Sequence, residues 1–144
     1  LKGALAGLTL GSTPPRVFQA LVEATAFGSR AIMERFRREG IRTERVVALG
    51  GIAQKSPYVM QVTADVLDVP ILVAASEQAC ALGAAMFASV AAGLYATVPE
   101  AQERMGSGFS RTYAPDPART QAYDKLYPKY LRLGESLEPL LREL

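Results

Sequence analysis

RVVALGGIAQKSPYVMQ, residues 45–61, joins three kinds of local signal in one short stretch. Its apolar start reads as a buried strand over 45–49, which runs into the double glycine Gly50 and Gly51. Ser56 and Pro57 then announce a helix, as an N-cap followed by proline in the first turn. A strand, a bare turn and a capped helix make a natural small-ligand site. Two residues without Cβ let a ligand ring lie against the backbone, and a helix N-terminus offers free N–H groups with partial positive charge.

The remainder of the chain is consistent with one compact domain built around that turn. With 144 residues, 49% of them hydrophobic, there is enough material for a single core and too little for two full domains. Sixteen basic and fourteen acidic residues leave a net charge of +2, and the charges are interspersed. That pattern gives no electrostatic case for nucleic acid or an anionic membrane as partner. The lone Cys80 rules out an internal disulfide and fits a reducing, cytoplasmic location. With no histidine, Ser/His/Asp, Cys/His and His-based zinc chemistry are excluded within this chain. No apolar run reaches the roughly 20 residues of a membrane span, and no signal-type segment opens the sequence. The start at Leu1 rather than at a methionine is read as the mark of a longer parent.

Taken in order, residues 1–14 form an apolar, glycine-punctuated lead-in. Ser12, Thr13, Pro14 and Pro15 start a long helix expected over 15–39, with Gly40 as its stop. Val17, Leu21, Ala24, Gly28, Ile32 and Phe36 recur at helical spacing and are expected to form its packed stripe. A second helix over 57–67 leads to the apolar run 70–74, a second buried strand parallel to the first. Ser76 and Glu77 start a helix whose ALGAAMFA segment, 81–88, is too small and apolar to face water, so that helix is expected to be nearly fully buried. Thr97, Pro99 and Glu100 cap a short helix ending near Gly106 to Gly108. A polar linker over 110–117 leads to a last helix with Tyr123, Leu126, Tyr127 and Tyr130 on one side, kinked or broken at Pro128.

Each candidate for chemistry has a plain alternative. GGIAQKS has neither the spacing of a dinucleotide fingerprint nor that of a P-loop, so both phosphate-clamp patterns fail. Lys55 is either a ligand contact or a solvated surface lysine, and Ser56 either a contact or purely an N-cap. Asp65, Asp68 and Glu77 are not paired for acid/base work and read as surface charges or caps. Cys80 reads as a small core residue, and the tyrosines of the last helix as packing groups rather than a stacking platform.

Beyond these local signals, VVALGGIAQKSPYVMQVTADVLDVPI followed by SEQACALGAA resembles the carboxy-terminal domain of the FGGY carbohydrate kinases, in the actin-like ATPase superfamily. GLTLGSTPPRVFQALVEATAFGSRAIMERF before it and VAAGLYATVPEAQERM after it extend the resemblance over most of residues 1–130. The resemblance implies that Gly50 and Gly51 belong to an adenosine-binding motif, with Lys55 or Ser56 contacting the nucleotide. It also implies that Glu77 and residues 81–85 lie on a buried helix behind the site.

The fold expected from the resemblance is a partial α/β domain of the ribonuclease-H-like, actin-like ATPase type, helix-rich with two parallel strands. Its parts would be the lead-in 1–14, a core over 15–93 and a helical extension over 94–144, with the amino-terminal domain absent. The implied parent transfers the γ-phosphoryl of MgATP to a hydroxyl of a ketose such as L-ribulose. Within it the sugar pocket, catalytic aspartate and Mg ligands lie outside this chain, which alone would be inactive while its partners are ATP or ADP. The strand over 45–49 would then present an open edge, covered by a second copy, by the missing part of the protein or by local rearrangement. A noncatalytic nucleotide-binding module and a purely structural fragment of the same fold are the alternatives.

Overall fold

The structure, a computed structural model, describes residues 3–143. The long first helix α1 (Pro14–Arg38) begins where Thr13 is extended, at φ −101° and ψ 155°, with proline in its first turn. Proline is favoured there because the first N–H groups of a helix have no internal partner. Strand β1 (Val46–Ala48), a single helical turn α2 (Gly51–Lys55), helix α3 (Pro57–Leu67) and strand β2 (Ile71–Ala74) follow. Helices α4 (Ala79–Ala91) and α5 (Val98–Met105), strand β3 (Phe109–Tyr113) and helix α6 (Pro117–Glu143) complete the order.

β1 and β2 pair in parallel, Val46 opposite Ile71 and Ala48 opposite Val73, as the two apolar runs predict. The sheet has a third member. β3 runs antiparallel to β2, so the order is β1-β2-β3, and part of the expected polar linker is a strand. Its sequence hid this because Phe109, Ser110, Arg111 and Thr112 are all exposed and show no apolar alternation. Backbone pairing with β2 forms the strand, and Ser110 Oγ adds a hydrogen bond to the Val73 carbonyl at 3.4 Å. β1 lies at the other edge and, among the described residues, pairs only with β2.

α3 is the centre of the packing. Met60, Ala64 and Leu67 join Ile71 and Val73 of the sheet with Ala53 and Met33 in one cluster. Val62 and Val66 join Ala26, Phe27 and Tyr127 in a second, between α1, α3 and α6. Phe27 sits against three tyrosines of α6, edge-on to Tyr123 at 5.9 Å and tilted to Tyr127 and Tyr130 at 5.7 and 5.3 Å. Arg30 lies over the Tyr127 ring at 4.4 Å and pairs with Asp124 at 2.7 Å. The α6 tyrosines are therefore packing groups, and Pro128 does not divide the helix that carries them.

Three expectations about burial need correcting. On α1 the buried residues are Ala26, Phe27 and Met33, whereas Leu21, Ile32 and Phe36 of the expected stripe are exposed. The helix is apolar on more than one side, and α3 and α6 take the side carrying Phe27. α4 buries only Met86 and Ser89, where it packs on α5, and leaves Phe87 65% exposed with Cys80 at the surface. Asp65 is the opposite case, a carboxylate at 0% exposure. Its Oδ1 accepts from Gln61 Nε2 at 2.7 Å and from the Asp116 N–H at 2.8 Å, and its Oδ2 from Arg119 Nη1 at 3.3 Å. Thr120 Oγ1 donates to the Asp65 carbonyl at 2.9 Å, so this one residue fastens the start of α6 to α3.

Removing that carboxylate strands several donors together. Asp65→Ala is expected to lower the unfolding free energy in urea by about 3 kcal/mol, and Arg119→Ala, whose side chain is mostly exposed, by less than about 1. A loss below about 0.5 kcal/mol for Asp65→Ala would mean that the network is not a fastener. Burial, reinforced by the Glu23 carboxylate, pushes the Tyr123 hydroxyl up, and burial with Glu34 does the same for Tyr127. A phenol raised in the folded state ionises first in the unfolded chain. Its stabilisation is complete below the ordinary value of about 10 and is lost as pH rises above it. The urea midpoint should thus fall above pH about 10, and changing both tyrosines to phenylalanine should flatten the fall; an unchanged slope would refute the assignment.

Candidate functional site

The candidate site is the segment that leaves the carboxyl end of β1. In an open parallel pair this is the end where loops gather and ligands are held. Gly50 adopts φ +91° and ψ −179°, a conformation that side chains with a Cβ rarely take, and it directs the chain out of the sheet into α2. Gly51 differs in kind. A Cβ built on it would meet no atom within 4 Å, so its open face is free for an approaching group. Leu49 and Ile52, 55% and 66% exposed, leave apolar surface on either side of the glycines. The turn is an apolar shelf without side chains at its middle.

Beneath the shelf, Ala53 is the buried side chain of α2 and enters the cluster under the sheet. Gln54, which sequence reading passed over, donates from Nε2 to the carbonyl oxygen of Ala74 at 2.5 Å, linking α2 to the last residue of β2. Nothing in a single sequence signals that contact, since the partner is a backbone atom twenty positions away.

Lys55 and Ser56 end the turn. Lys55 is exposed and closes α2. Ser56 is the N-cap of α3, its Oγ accepting from the Val59 N–H at 3.4 Å and its carbonyl from the Met60 N–H at 3.2 Å. Pro57 contributes no N–H, so the start of α3 is largely satisfied internally and is not the free anion cradle the sequence suggested. The site's open resource is therefore the glycine shelf. The Glu77 region expected behind the site is exposed at Glu77, Ala81, Ala84 and Ala85. Two open concavities of about 640 and 610 Å³ lie elsewhere, beside Arg37 and Arg42 and beside Tyr130 and Leu137. Neither includes a residue of the turn. Among the described residues no three His, Cys, Asp or Glu side chains gather to hold a metal.

Comparison with known proteins supplies what the geometry alone does not. Ribulokinase of Vibrio parahaemolyticus is 50% identical over 140 residues, covering 97% of this chain and 25% of that protein. Ribulokinase of Bacillus licheniformis is 45% identical over 137 residues, covering 92% of this chain and again 25% of that protein. The chain thus spans about a quarter of the length of the curated relatives it matches. Among solved structures, xylulose kinase from Rhodospirillum rubrum superposes with a TM-score of 0.83 at 27% identity, covering 99% of this chain and 28% of that one. This likeness makes the architecture a partial α/β domain of the actin-like ATPase fold. Residues 1–92 match the C-terminal domain of the FGGY family of carbohydrate kinases, and the chain belongs to that family.

Proposed function

We propose that this chain forms the adenosine-binding part of an ATP-dependent carbohydrate kinase, whose full-length form transfers the γ-phosphoryl group of ATP to a hydroxyl of a ketose such as L-ribulose. The observation that carries the reading is the open glycine shelf, with Gly50 bending the chain and Gly51 bare, at the carboxyl end of the parallel pair. An adenine or ribose ring laid on Gly51 would meet no protein Cβ there, with Leu49 and Ile52 offering apolar surface beside it. Lys55 would meet the nucleotide as a cation at the exposed end of α2, and Ser56 would do so from its cap position. The choice of ribulose follows the similarity to ribulokinases.

Phosphoryl transfer asks mainly for positioning and for electrostatic stabilisation of the transferred group. This chain would supply positioning at the nucleoside end. The metal ligands, the base that deprotonates the sugar hydroxyl and the sugar pocket are assigned to the rest of the protein. The same remainder would cover the free edge of β1 and the exposed apolar side of α4, as opposed to a second copy of the chain. A lone surface cysteine suits a cytoplasmic enzyme, and none of the described helices is long and apolar enough to cross a membrane.

Gly51→Val separates ligand binding from folding, because a side chain there meets open space in the protein. In the full-length kinase it is expected to raise the KM for ATP by about tenfold or more while leaving the sugar KM and the melting temperature near their original values. An unchanged KM for ATP would remove the glycine shelf from the nucleotide site.

A further inference from the structure

The shelf is held by less than its position suggests. α2 has only five residues, and a helical segment of one turn is marginal without tertiary support. Its backbone closes through the Gln54 N–H to the Gly50 carbonyl at 3.3 Å and the Ser56 N–H to the Ile52 carbonyl at 3.0 Å. Ala53 anchors it by one methyl group. Apart from its packing against α3, its one side-chain hydrogen bond among the described residues is the Gln54 amide on the Ala74 carbonyl.

Ala74 is itself well placed to serve as an anchor. It is the end of the central strand, where the pairing with β3 becomes irregular between Val73 and Ala74. The next residue returns to order by donating its N–H to the Gly108 carbonyl at 3.0 Å. The Gln54 side chain therefore links the turn after β1 to a strand end already fixed from the β3 side. The contact lies at a part-buried position, where losing the donor leaves the carbonyl without this partner.

We infer that Gln54 is a positioning residue for nucleotide binding: by holding α2 to the end of β2 it sets the height and tilt of the Gly50 and Gly51 backbone under the ring. The inference rests on the reading of the glycine shelf as the nucleoside site. Gln54 does not touch the ligand in this scheme. It acts through the Ala74 carbonyl, and its loss lets the turn pivot on Ala53.

The test uses the full-length kinase and side chains of similar reach. Gln54→Met removes the donor, Gln54→Glu presents a carboxylate to the carbonyl, and Gln54→Lys restores a donor. Met and Glu are expected to raise the KM for ATP about tenfold, the scale of one lost hydrogen bond, with kcat and the sugar KM within about twofold and the melting temperature little changed. Lys is expected to recover most of the nucleotide KM. The inference is overturned if Met leaves the KM for ATP unchanged, or if kcat, both KM values and the melting temperature move together as in a general loss of structure. Should Glu fail to fold, the contrast between Met and Lys carries the same decision. Gly51→Val run alongside tells the two failures apart: a raised KM for ATP in that variant with normal Gln54 variants defeats the positioning role alone, and an unaffected Gly51→Val enzyme defeats the shelf itself.

Discussion

Helix α3 has to be buried on two sides at once, and the β1–β2 pair, α1 and α6 are arranged to do it. Six of its eleven residues are buried, with Ala64, Asp65 and Val66 at 0% exposure. One side rests on the β1–β2 pair and the other on α1 and α6. Fully burying an aliphatic side chain is worth about 1.5–3 kcal/mol, so losing either layer would cost several such increments. This constraint also fixes the glycine turn. α3 begins at Ser56, directly after α2, and the crossover from β1 to β2 runs through it, so the glycines must sit where the strand end and the helix start meet.

The buried Asp65 is the polar counterpart of that packing. An unpaired carboxylate in such a place would be strongly unfavourable, yet here side-chain, backbone and guanidinium donors converge on it. Its position ties the start of α6 to α3, because the Asp116 N–H and the Arg119 guanidinium both reach this carboxylate. Phe27 and the tyrosines then extend the contact along α6 by apolar means.

How much of this was legible in the sequence follows from the physics of each element. The strands and α3 carried caps, prolines and apolar runs that act locally, and those features read through. The β3 strand did not, since a polar edge strand is formed by its neighbour's backbone. The face of α1 was misjudged because helical periodicity shows that a stripe exists without saying which stripe is met when both sides are apolar. α4 read as buried and is not, because burial depends on partners and the described chain offers it chiefly α5. At the site, the glycines were visible as residue types and Ser56 as a cap. The Gln54 contact, like the buried state of Asp65, belongs to tertiary geometry, where sequence spacing carries no signal.

The exposed apolar side of α4 and the free β1 edge follow from the same principle and fit a chain that covers about a quarter of its ribulokinase relatives. What the account stands on is narrower: that a nucleoside rests on the backbone of the turn after β1. Amide hydrogen exchange of the full-length kinase with and without ADP measures this most directly. The account predicts slowed exchange concentrated in residues 49–56 and in the β2 end that Gln54 grips, with α5 and α6 unaffected. Protection that falls elsewhere and leaves 49–56 exchanging at its free rate would contradict it.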